Sequence, residues 1–60
     1  MKKDELLKLV VFFNSTSDKY VEEAKEAVRD KHYIEAVNFE GRSAAFRTAA
    51  KLLLEKLMEV

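Results

Sequence analysis

His32 is the only side chain of this 60-residue chain whose unperturbed titration falls near neutrality. Glu35, three residues on, shares a face with it on a helix. Such a pair could relay a proton or contribute two ligands to a cation. Catalysis, however, needs a nucleophile or metal held by a third group, and none is identifiable by spacing. The chain has no Cys and a single His, which excludes the usual zinc sites. No catalytic residue, metal ligand or cofactor is therefore expected, and a non-enzymatic protein is. Glu40 stands beside an apolar stripe, between Phe39 and Gly41, where a carboxylate would need Arg42, Arg47 or a Tyr hydroxyl as partner if buried. Arg42, Arg47 and Lys51 read as a row along one side of the C-terminal segment, with Lys31 and His32 near its start. Such a row could contact phosphates, the chemistry of a homodimeric helical nucleic-acid-binding protein. Against that stand Glu55 and Glu59, which continue the same side, and eleven acidic residues that cancel eleven basic ones. A solvated face, or a charged rim around a protein interface, is the simpler reading.

The segments that would carry these residues are legible from periodicity. Residues 4–13 open with Asp4 and Glu5, which suit a helix N-terminus, and then turn apolar on nearly every side. Leu6, Leu9, Val10 and Phe13 form one helical face, while Leu7, Val11 and Phe12 lie off it. The run Val10 to Phe13 also suits a short buried strand. Asn14-Ser15-Thr16-Ser17 reads as a break, with Ser15, Thr16 or Ser17 capping a second helix over 17–30. That helix would bury Tyr20, Val21, Ala24, Ala27 and Val28. A tight turn falls at Asp30-Lys31-His32. From Tyr33 to 58 a single stripe runs through Ala36, Phe39, Ser43, Phe46, Ala50, Leu53 and Leu57, flanked by Val37, Ala49, Leu54 and Met58. Gly41 costs about 1 kcal/mol inside such a helix, and with Ala45 and Ala49 it suggests a face for close helix packing. The spacing predicts an all-α bundle of three segments, 4–13, 17–30 and 33–58, in a single domain over 1–60. The alternative breaks the last helix at Gly41 and gives strand, helix, strand, helix.

Tyr33-Ile34-Glu35-Ala36, with Glu40-Gly41-Arg42-Ser43-Ala44-Ala45-Phe46 and Ala49-Ala50-Lys51-Leu52-Leu53, resembles a pattern of very small helical proteins encoded by phages and prophages of Gram-positive bacteria. The resemblance covers about half the chain and is a packing pattern. It implies an accessory factor that binds and redirects a larger protein, as anti-repressors, inhibitors and recombination directionality factors do.

Composition points the same way by another route. At 48 % hydrophobic and 37 % charged, with no Pro and one Gly, the chain is expected to fold as helices. A chain this short buries only about 60 % of its unfolded surface, and it has neither disulfide nor metal to supplement its core. Lys8 interrupts the apolar run from Leu6 to Phe13, which is far short of the roughly 20 residues that span a bilayer. A cytoplasmic protein, with no membrane contact, is expected. Leu7, Val11, Phe12, Leu52 and Met58 are the apolar surplus that three short helices could not all hide, and contiguous exposed apolar surface marks an interaction site. The function expected is that of a regulatory protein docking this surface on a larger protein partner. Self-association into a homo-oligomer would use the same surplus.

Overall fold

The structure, a computed structural model, describes residues 2–59. They form two helices, α1 (Lys3–Arg29) and α2 (Tyr33–Met58), joined by a three-residue turn into an antiparallel hairpin. The hairpin measures 45 × 14 × 12 Å, with a Cα radius of gyration of 13.8 Å. A compact chain of this length would have a radius of gyration of about 10 Å. The all-α expectation holds and the three-segment bundle does not: the first two segments are one helix. The strand alternative fails as well, since residues 6–13 are helical and α2 passes through Gly41 unbroken, with no strand among the described residues.

The continuity of α1 has a local cause. Thr16, read as a candidate cap, donates its hydroxyl back to the Phe12 carbonyl at 2.8 Å, a four-residue bond compatible with the helix interior. Ser17, another of the three candidates, is fully buried against α2. Its hydroxyl donates to the Ser43 carbonyl at 2.9 Å and lies 2.8 Å from Ser43 Oγ. Because each hydroxyl has one proton, Ser43 Oγ donates to Ser17 Oγ. Both side chains are thereby satisfied, and no described buried side-chain N or O lacks a partner.

That serine pair sets the register. Val10, Ser17 and Ala24 recur every seven residues on α1 and are buried, as are Ala36, Ser43 and Ala50 on α2. With Ser17 opposite Ser43, one heptad either way sets Val10 against Ala50 and Ala24 against Ala36. A seven-residue seam is the signature of helices that cross at a shallow angle. Here five of its six members are Ala or Ser, so the two backbones approach closely and little width is left between them for large side chains. Phe39, Phe46, Leu53 and Leu57 lie in the expected stripe of α2 but are only half-buried, as are Leu6, Leu9, Phe13, Tyr20 and Val21 on α1.

The turn closes α1 by a Schellman arrangement. Lys31 adopts a left-handed φ of 63°, its N–H donates to the Val28 carbonyl at 3.0 Å, and the His32 N–H donates to the Ala27 carbonyl at 2.7 Å. Glycine is the usual residue at the left-handed position, and Lys31 holds it at some conformational cost.

Candidate protein-binding surfaces

A two-helix layer has two broad faces, and the seam divides the side chains unequally between them. On one face the rings that the seam cannot accommodate line up. Phe13 and Phe46 have centroids 5.8 Å apart, Tyr20 stacks on Phe46 at 5.8 Å and on Phe39 at 6.1 Å, and Phe12 adds a fourth contact through Phe13 at 5.7 Å. Tilted and offset ring pairs at these separations are favourable beyond the area they cover. The Arg42 guanidinium lies over Tyr20 at 5.8 Å, a cation–π contact at the rim of this aromatic face. Ala49, one heptad beyond Arg42, falls on the same face.

The opposite face holds a groove of about 460 Å³ lined by Val21, Val28, Lys25, Glu40, Ala44 and Arg47, with Ala24 and Ser43 at its base. Arg47 reaches Asp18 at 3.8 Å, an exposed pair of little energetic weight. Heptad steps continue this face, beyond the groove, toward the open end of the hairpin: Leu7 lies in line with Val21 and Val28, Leu54 with Glu40 and Arg47, Val11 with Lys25, and Met58 with Ala44. Leu7, Val11 and Met58 are 48 %, 63 % and 83 % exposed.

The five residues of the apolar surplus are thus all exposed, but they do not make one patch. Leu7, Val11 and Met58 lie on the groove's side of the hairpin toward the open end, whereas Phe12 joins the ring cluster and Leu52 follows Ala49 by three residues beside it. The basic row is divided too. Arg42 and Arg47 are five residues apart, about 140° around a helix, and one lies over Tyr20 while the other pairs with Asp18 on the groove side with Lys51. The close packing expected at Gly41, Ala45 and Ala49 is also relocated. Gly41 and Ala45 are exposed, and a Cβ built on Gly41 would meet nothing within 4 Å. The Ala36, Ser43 and Ala50 row takes the close contact instead, because its members sit at the centre of the stripe. Glu40 is exposed at the groove rim and needs no buried partner.

His32 Nδ1 lies 3.8 Å from Glu35 Oε2 at the turn, with both side chains mostly in water. No third group joins them, and among the described residues no three His, Cys, Asp or Glu converge as a cation site would require. Missed at the level of sequence is the exposed apolar cluster at the turn end, Tyr33, Ile34 and Val37, of which Ile34 is 82 % exposed. Its signal was present in the first turn of α2, where these residues fall off the central stripe. No described helix is long and apolar enough to cross a membrane. Comparison with protein-family models, curated proteins and solved structures returns no match.

Proposed function

We propose that the protein is a non-enzymatic binding module that docks the groove face of its helical hairpin on a larger protein and so alters or blocks that partner's working surface. The observation that carries this reading is the exposure of Leu7, Val11 and Met58, large apolar side chains in line with the groove and toward the open end of a hairpin of zero formal net charge. A groove continued by exposed apolar anchors along one face suits a partner helix laid lengthwise on that face. Lys25, Glu40 and Arg47 at the rim then govern specificity and association rate more than affinity. The resemblance to small phage-encoded accessory proteins supports the same class of action, regulation by contact. The groove's mixed charges favour a protein over a nucleic acid, since only Arg47 and Lys51 of the basic row remain on this face.

Val11→Asp tests the reading. Val11 is exposed, so the hairpin should keep its helicity, while a charge in place of one apolar anchor disrupts the docking surface. Affinity capture from the native host with the wild-type chain should yield a partner that the variant fails to retain. Equal capture by a folded Val11→Asp variant would sink the proposal.

A further inference from the structure

We propose that the aromatic face, opposite the groove, is covered by a second copy of this chain, two hairpins packing face to face into a four-helix bundle. The inference shares with the reading above only the premise that apolar surface serves protein contact; it assigns a different face and a different occupant.

Three observations select a second copy. The first is area. The hairpin exposes 4827 Å², whereas a compact monomer of 7.0 kDa exposes about 4,000 Å². The excess, roughly 800 Å², equals what each partner contributes to a standard interface. The second is position. Phe13 and Tyr20 on α1 bracket the midpoint of that helix, and Phe39 and Phe46 face them from α2, so the ring cluster sits midway along the hairpin. A two-fold axis through the cluster lays rings on rings while the full lengths of both hairpins overlap, which is the geometry an isologous contact needs. A cluster near one end would have left half of each hairpin unpaired. The third is the poverty of the internal core. Of the five buried apolar residues four are Ala, and the larger apolar side chains of the seam region remain half in water. Two helices that touch through Ala and Ser lack a core of their own, and a second layer supplies it by covering Leu6, Leu9, Phe13, Tyr20, Phe46 and Leu53. Net charge is zero, so two copies meet without global repulsion.

Light scattering coupled to size exclusion tests this on the full chain between roughly 10 µM and roughly 1 mM. The expected mass is twice the 7.0 kDa of the chain, with a thermal midpoint that rises with concentration. Ala49→Glu places a charge on the aromatic face without removing a large side chain from the hairpin, and it should give a helical species of single-chain mass. Phe12→Glu, at an exposed position beside the rings, should weaken association in the same direction and serves where Ala49→Glu loses helicity. Ala44→Glu, on the groove side, should leave the doubled mass unchanged. A wild-type chain of single mass throughout, whether or not a foreign protein binds its aromatic face, overturns the inference and leaves the groove reading intact. So does a doubled mass that survives both Ala49→Glu and Phe12→Glu in folded protein. Failure of the groove reading shows separately, as partner capture that Val11→Asp does not affect.

Discussion

The Ser17–Ser43 pair offers a quantitative test of the seam. Ser17→Ala removes the donor to the Ser43 carbonyl and the acceptor of the Ser43 hydroxyl. It thereby strands a hydroxyl in a position only 4 % exposed. An orphaned buried hydroxyl costs about 1–3 kcal/mol, and a bond back to a carbonyl of the preceding turn recovers part of it, so a loss of about 1–2 kcal/mol is expected. Ser43→Ala is milder, because Ser17 still donates to the Ser43 backbone carbonyl; about 0.5–1 kcal/mol is expected. The double variant replaces the pair with two Ala, as the Ala24 and Ala36 level already has, and should lie near wild type. The double-mutant cycle should therefore show a coupling of about 1.5–3 kcal/mol. Urea denaturation followed by circular dichroism, all four proteins at one concentration, measures it. Two additive and near-neutral single variants would mean that the two serines do not meet, and the register built on them would fall.

Two backbone positions make further predictions. Gly41→Ala should stabilise the protein by about 1 kcal/mol, raising the melting midpoint by about 4–8 °C, because the added methyl meets nothing and the helix loses a weak former. Unchanged or lower stability in thermal melts would show that a close partner occupies that face. Lys31→Gly should stabilise by about 0.5–1 kcal/mol, the relief of the left-handed φ outweighing the added freedom of the unfolded chain; a loss in the same melts would refute the Schellman closure.

Much of the fold was legible in the sequence because helical periodicity was unbroken. The stripe from Ala36 to Leu57 is the face of α2 turned to α1, and Leu6, Leu9, Val10 and Phe13 are the matching face of α1. The turn at Asp30 to His32 was readable from its polarity together with the usual shortness of helix-to-helix connections. What misled was local chemistry: Asn14, Ser15, Thr16 and Ser17 have the types that end helices, yet Thr16 bonds within the helix and Ser17 bonds across it. Propensity gave way to a tertiary contact 26 residues away in sequence. The exposed apolar residues were legible one by one, since Leu7, Val11 and Phe12 fall off the stripe. Their division between two faces was not, because it depends on how tightly the small-residue seam closes and which side of it each ring takes. Arg42 and Arg47 were read as neighbours in a row for the same reason, before Tyr20 and Asp18 were known to claim them separately.

The division of labour between the faces is most directly tested by isotope-filtered NMR on an equal mixture of labelled and unlabelled chains. The account predicts intermolecular contacts among the rings of Phe13, Tyr20, Phe39 and Phe46, and none from Leu7, Val11 or Met58. Intermolecular contacts carried by the groove residues, or none from the rings at concentrations near 1 mM, would contradict it.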